Sequence, residues 1–200
     1  MPSNDQILAS LKAIVNSWQI AAVLWHLYFA IIVAGLLSGA RLIKRDFGIL
    51  LALPLFSVSV IAWLSSNPFN GIVFALLGIL LIYFSTKMPR ESIDIAPAWL
   101  LLPGILMVIF GWVYPHFLET TSWWSYLYAA PTGLIPCPTL SIVIGFTLIV
   151  NKLGSPGYSI TLGAAGLLYG LLGVFKLGVT IDWILLIGTV LILVCTFLKK

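Results

Sequence analysis

The sequence predicts an all-α protein, a polytopic bundle of transmembrane helices. Hydrophobic residues fill 61% of its 200 positions, and charged residues fill only 8%. A soluble domain carries about 25% charged residues, so this chain has too few polar side chains to cover a water-facing surface. The composition therefore excludes a soluble globular domain, a disordered chain and a disulfide-rich secreted protein. Lipid is the solvent that remains.

Apolar runs of bilayer length support the same class. A hydrocarbon core about 30 Å thick needs roughly 20 apolar residues in a helix. Seven such runs predict seven spans: Trp18 to Ala40, Phe47 to Trp63, Gly71 to Thr86, Ile95 to Phe117, Trp123 to Val150, Tyr158 to Phe175 and Asp182 to Leu198. Residues 18–200 would form one seven-helix transmembrane domain.

The first 17 residues predict a separate amphipathic segment at the membrane interface. Apolar residues recur there at helical spacing, and Ser3 or Asn4 can cap the helix. A basic leader and a small-residue cleavage site are both missing, which argues against a signal peptide. We expect this helix to lie on the outer leaflet, and the alternative is an ordinary frayed terminus.

The basic residues predict the orientation of the bundle. Eight lie at the same side of the predicted spans: Arg41, Lys44, Arg45, Lys87, Arg90, Lys152, Lys199 and Lys200. The opposite side holds only Lys12 and Lys176. Because Lys and Arg are retained in the cytoplasm, we expect the N-terminus outside and the C-terminus inside. The positive net charge then reflects topology, and nucleic-acid binding has no support.

Prolines break the fifth predicted span. Pro131, Pro136 and Pro138 each lack an amide donor and disfavour helical geometry in the preceding residue. We predict a half-helix over 123–130, a non-helical link facing the bundle, and a second half-helix that begins near Pro138. Broken helices of this kind form substrate or ion sites in transporters, and a purely structural kink is the alternative.

Side chains within the break and in the first span are candidate ligand contacts. Thr132, Cys137 and Thr139 lie in or beside the predicted link. The Cys137 thiol would be a soft-metal or redox ligand at a helix N-terminus and an inert group in apolar packing, so its role stays open. His26 lies about eight residues into the first span, where a buried imidazole is either a proton-sensitive group or a neutral bridge between helices.

Polar residues collect at the predicted outer mouth. His116 and Glu119 follow the fourth span, and Lys176 and Asp182 bracket the turn between the last two. Together they would form an entrance for a solute or ion. The alternative for Lys176 and Asp182 is a simple ion pair across their turn.

Glycines repeat at three- and four-residue intervals on the sixth span, at Gly163, Gly166, Gly170 and Gly173. Missing side chains let helix backbones approach closely, so this stripe predicts a packing face. We expect the sixth span to be the central helix of the bundle.

Several stretches resemble a family of uncharacterised bacterial multi-pass membrane proteins, known as a domain of unknown function. They are Val23 to Ala30, Asn67 to Gly71, Phe110 to Phe117 and Leu127 to Gly145, and the most distinctive is Pro136 to Thr139. The resemblance implies a location in the bacterial inner membrane. It implies no activity, because the family has no established one.

Three functions are consistent with the sequence. The leading hypothesis is a permease-like protein for a small solute or ion, with its site at the broken fifth span. The alternatives are a non-catalytic subunit or assembly factor of a larger membrane complex, and a membrane enzyme with His116 and Glu119 as an acid–base pair. The lipid bilayer is the expected environment, with a small solute, an ion or other membrane proteins as partners. The residues identify neither a cofactor nor a metal.

Overall fold

The computed structural model describes residues 3–198, which are mostly helical and contain no β-strand. Its α-helices are α1 (Asn4–Ser17), α2 (Gln19–Leu37), α3 (Lys44–Leu64), α4 (Pro68–Thr86), α5 (Ala98–Val113), α6 (Tyr126–Ala129), α7 (Pro136–Ile149), α8 (Pro156–Leu171) and α9 (Trp183–Phe197). Lys199 and Lys200, which contribute to the predicted charge asymmetry, lie outside the described residues.

Five helical segments within residues 3–198 are long and apolar enough to cross a membrane. They are α2, α3, α4, α8 with its continuation to Lys176, and α9 with the turn Thr180–Asp182 that precedes it. Large apolar side chains project outward from them, and Ile20 and Leu37 on α2 are 80% and 82% exposed. Contiguous apolar surface of this kind is stable only in lipid or against a partner, which indicates an integral membrane protein.

The fourth and fifth predicted spans contain shorter helices than expected. α5 has 16 residues and α7 has 14, so each is shorter than the run that predicts it. α5 ends at Val113 because the chain turns before Pro115, and α7 is only the second half of its run. Of the seven predicted spans, five therefore contain a helix of membrane-spanning length and two contain a shorter apolar helix.

The centre of the bundle is α7, and the prediction that the sixth span occupies it is wrong. Every residue of α7 except Cys137 is buried, and α7 contacts α3, α5, α8 and α9. A Cβ added to Gly145 would lie 2.7 Å from the Gly104 carbonyl oxygen, so the α5 and α7 backbones touch. The glycine stripe of α8 instead faces mainly α9 and the turn before it, and Gly166 also lies against Ile144 of α7.

α1 covers the break in the fifth span. Ser3 caps this helix, because its hydroxyl accepts the Gln6 amide while the Gln6 side chain accepts the Ser3 amide. Buried Leu11 and Ile14 belong to a small apolar cluster with Leu134, which lies within the break. The apolar face of α1 thus packs on protein, and its location at a membrane interface stays a prediction.

The predicted break is present between α6 and α7. Residues 130–135 are non-helical and buried, as expected. The segment before them is a 3₁₀ turn, Trp123–Ser125, followed by the single turn of α6. The second half-helix begins at Pro136 and not at Pro138. The first amides of a helix have no intrahelical acceptor, and two prolines therefore fit within its first turn.

Candidate functional site

Two threonine side chains hold the break together. The Thr139 hydroxyl accepts the Gly133 amide at 2.8 Å and donates to the Ile135 carbonyl at 2.7 Å. The Thr132 hydroxyl donates to the carbonyl of Gly111 on α5. These bonds replace the helical hydrogen bonds that the prolines remove. Both predicted ligand contacts, Thr132 and Thr139, therefore use their hydroxyls on the chain's own backbone in this conformation.

The first long helix seals the break from the side. Gly133 has a φ of 79° and lies against the Trp25 indole, so a side chain at this position would be strained and would clash. The Trp25 indole N–H donates to the Ser57 hydroxyl of α3 at 2.8 Å. The link is thus enclosed by α1, α2 and α5.

His26 joins α2 to the end of α5. Its ring is 4% exposed, with Nδ1 2.8 Å from the Ala22 carbonyl oxygen and Nε2 2.9 Å from the Trp112 carbonyl oxygen. Both neighbours are hydrogen-bond acceptors. A neutral imidazole donates to one of them only, whereas an imidazolium donates to both. His26 contacts the carbonyl of Trp112, and the carbonyl of the preceding residue, Gly111, accepts the hydrogen bond from Thr132. His26 therefore supports the break through α5.

A buried carboxylate lies at the N-terminal end of α7. Asp182 is 1% exposed, and the Tyr114 hydroxyl donates to its Oδ1 at 2.8 Å. The Cys137 side chain lies close to this carboxylate. Oδ2 lies against Gly173 of α8, where a side chain would collide with it. In the described part of the chain, no ion pair joins Asp182 to a cation.

A second polar pair lies nearby. The Tyr169 hydroxyl on α8 donates to Asn70 Oδ1 on α4 at 2.8 Å, and Tyr169 lies one helical turn before Gly173, which faces Asp182. We refer to Asp182, Tyr114, Cys137 and Tyr169 as the Asp182 cluster. It brings together the end of α5, the start of α7, α8 and the turn before α9.

The chemistry of the Asp182 cluster follows from its isolation. An ionised carboxylate without a cation is costly to bury, and a proton or a small cation removes that cost. The hydroxyl and thiol around it are weak acids that can donate hydrogen bonds to the carboxylate. Residues 3–198 contain no group of three or more His, Cys, Asp or Glu side chains that could hold a metal ion.

The remaining residues of the predicted outer mouth lie away from this cluster. Glu119 forms an exposed ion pair with Lys12 at 2.7 Å. His116 and Glu119 line an open cleft of about 380 Å³ beside α1, and partial burial lowers the pKa of His116 below its usual 6.5. Lys176 is exposed, and its carbonyl accepts a hydrogen bond from Asn4.

Two predictions about the mouth are therefore wrong. The ion pair between Lys176 and Asp182 does not form, because Asp182 turns inward to Tyr114 and Cys137. The acid–base pair of His116 and Glu119 has no helix to hold it, because the chain leaves the helix after Val113, and Glu119 pairs with Lys12 instead. The structure brings Cys137 and Asp182 together and leaves the other mouth residues on the outer surface.

Sequence reasoning missed the tyrosines of the cluster and two further buried hydroxyls, those of Ser159 and Thr189. Tyr169 gives no local signal, since aromatic residues are common in membrane helices. A spacing of seven residues, from Asp182 to Thr189 on one helix and from Ser159 to Gly166 on its neighbour, was available in the sequence. Such spacing places side chains on one helical face.

The fold and the buried carboxylate define a class, a helical integral membrane protein with an ionisable group inside the bundle. Comparison with known proteins adds nothing more specific, because no protein-family model, curated protein or solved structure matches the chain.

Proposed function

We propose that this protein is a small permease that carries a small solute or ion past Asp182. One observation carries the proposal: a carboxylate that is 1% exposed, has no cationic partner in the described residues, and lies at the start of an apolar segment long enough to cross a membrane. Ionisable residues inside membrane helices are costly, and they mark ion pathways and proton relays.

The broken span supports the same function. The unwound link ends at α7, whose first turn presents Cys137 to Asp182. A helix N-terminus carries partial positive charge, which stabilises an anion placed beside it. The break thus places a helix dipole, and not a cationic side chain, beside Asp182, as discontinuous helices do in transporters. Thr132, Thr139 and His26 would maintain that arrangement.

The proposed membrane arrangement has seven crossings, with the N-terminus outside and the C-terminus in the cytoplasm of a bacterial inner membrane. α5 and α7 complete the count, since 16 residues of helix span about 24 Å and extended flanking residues add to that length. In this orientation the Asp182 cluster lies near the outer end of the bundle, behind α1. Reporter fusions after Arg90 and after Glu119 would then report opposite sides.

The test is ion flux into liposomes that contain the purified protein. We expect wild-type vesicles to pass protons or monovalent cations faster than empty vesicles, and Asp182→Asn to reduce that flux at least tenfold. The control is Asp94→Asn, which removes an exposed carboxylate paired with Lys44 at 3.0 Å and should keep the flux within twofold of wild type. Thermal unfolding in detergent checks that both variants fold.

Wild-type vesicles no leakier than empty ones to protons, sodium and potassium would overturn the permease proposal. Extraction in a gentle detergent then separates the alternatives, because a non-catalytic subunit or assembly factor would purify with a defined membrane partner. A stable monomer or homo-oligomer with ion flux supports the permease.

A further inference from the structure

Two buried hydroxyls in the contact between α8 and α9 lack hydrogen-bond partners. Ser159 and Thr189 are both 0% exposed, and neither hydroxyl oxygen is bonded to any described atom. Other buried hydroxyls in the bundle donate to a carbonyl of their own helix, as Thr147 and Ser85 do at 2.7 Å. An unpaired buried hydroxyl in a native structure calls for an explanation, and a bound water molecule supplies one.

Both hydroxyls lie on a single line along this helix contact. Asp182, Thr189 and Thr196 follow one another at seven-residue spacing, and so do Ser159, Gly166 and Gly173 on α8. The helices face each other in antiparallel register. Gly173 touches the Asp182 carboxylate, and Gly166 touches the Thr189 hydroxyl. Ser159 and Thr196 line one cleft together. We call the line from Asp182 to this cleft the α8–α9 seam.

The seam leads from the Asp182 cluster to an open cleft at the other end of the bundle. Fourteen residues of helix separate Asp182 from Thr196, a length of about 21 Å. The cleft has a volume of about 290 Å³. A left-handed turn forms its rim, with φ values of 49°, 60° and 55° at Asn151, Lys152 and Leu153. The cleft is roomy enough for several water molecules.

Apolar side chains separate the polar positions of the seam. Leu186 lies against Gly170, and Leu193 lies against Gly163. These are flexible side chains in front of glycines, so a change of rotamer would open the gap between one hydroxyl and the next. Water molecules bound in such an opening would carry protons along their hydrogen bonds.

We propose that the α8–α9 seam is the inner half of a proton pathway, in which water bound at Thr189 and Ser159 connects Asp182 to the cleft. This inference rests on the proposed permease function and names its substrate as the proton. The two unpaired hydroxyls are its independent support, since a contact made only for packing gains nothing from them.

The first measurement is proton flux in liposomes under an imposed membrane potential. Thr189→Val keeps the side-chain shape and removes the hydroxyl, and we expect it to lower proton flux at least fivefold. Ser159→Ala should lower it in the same direction. The controls are Thr147→Val and Ser85→Ala, which remove buried hydroxyls outside the seam and should leave the flux within twofold of wild type.

The second measurement detects water in the seam without any transport. A cysteine introduced as Thr189→Cys should react with a small water-soluble methanethiosulfonate reagent, with the site of modification found by mass spectrometry. Thr147→Cys, equally buried in α7, should not react. Full protection of both introduced thiols overturns the water-filled seam even if the protein conducts protons by another route.

Failure of the permease proposal and failure of the proton-pathway proposal give different results. If wild-type protein moves no ion, the permease proposal fails, and the proton pathway fails with it whatever the thiol reactivity shows. If wild-type protein moves protons and Asp182→Asn stops them, while Thr189→Val conducts normally, the permease stands and the seam is not its pathway. Loss of flux in Thr189→Val together with reactive Thr189→Cys supports both.

Discussion

The proline break and the α8–α9 seam differ in whether their buried hydroxyls are hydrogen-bonded. In the break, the Thr132 and Thr139 hydroxyls are hydrogen-bonded to backbone atoms. In the seam, Ser159 and Thr189 are equally buried and unpaired. A satisfied polar network rigidifies the structure, whereas an unsatisfied one costs free energy that the fold must offset elsewhere. The break, which looks most functional in the sequence, is thus hydrogen-bonded through its threonine side chains, and the plainer helix pair holds the unpaired hydroxyls.

The largest effect should come from the helix contact that supports the break. A Cβ at Gly145 would meet backbone atoms of Gly104 and Val108 at 2.7 Å, and backbone cannot move aside as a side-chain tip does. We expect Gly145→Ala to lower the free energy of unfolding by about 3 kcal/mol, measured by denaturation in mixed micelles. Gly35→Ala is the control, because its nearest neighbour would be 4.0 Å away. Equal stabilities for the two variants would show that α5 and α7 do not pack this closely.

The next effect tests the hydrogen bonds of the break itself. Thr139→Val leaves the buried Gly133 amide without an acceptor, so we expect a loss of about 1 to 3 kcal/mol in the free energy of unfolding. Thr147→Val removes a hydroxyl that only donates to its own helix, at the Val143 carbonyl, and should change stability by less than about 1 kcal/mol. An unchanged free energy of unfolding in Thr139→Val would mean that other interactions hold the break in place.

The seam should respond to the same substitution with the opposite sign. Thr189→Val removes an unpaired buried hydroxyl and keeps its shape, so we expect the protein to unfold at an equal or higher temperature, with a gain of up to about 1 kcal/mol. Thermal unfolding beside Thr139→Val in the same detergent gives the comparison directly. A clear destabilisation by Thr189→Val would show that its hydroxyl has a strong hydrogen-bond partner in solution, either a protein group or a tightly bound water.

The smallest effect on stability should come from an exposed ion pair on the protein surface. Lys12 and Glu119 form an ion pair whose side chains are 53% and 65% exposed, and such pairs contribute little in water. We expect Glu119→Gln to change the free energy of unfolding by less than about 1 kcal/mol and to lose even that effect in high salt. A large, salt-independent loss would mean that the pair fixes α1 over the break.

The sequence by itself determined the features that depend on local pattern. Apolar run length predicts seven spans; five appear as helices long enough to cross a membrane, and the other two contain shorter helices. Three prolines within eight residues predict the break, because a proline has no amide to donate. Ser3 as a helix cap and the α8 glycines as a packing face also follow from short-range chemistry, and the structure confirms both.

Only the tertiary structure decided which polar groups meet. Lys176 is closer to Asp182 in sequence than Tyr114 is, yet Asp182 bonds to Tyr114, which is 68 residues away. The register of α5, α7 and α9 sets that choice, and it depends on where glycines let backbones touch. The same register leaves Thr189 unpaired while Thr139 is satisfied, although both are buried threonines in apolar helices. Hydrogen-bond satisfaction belongs to the contact between elements, so no pattern along one element can reveal it.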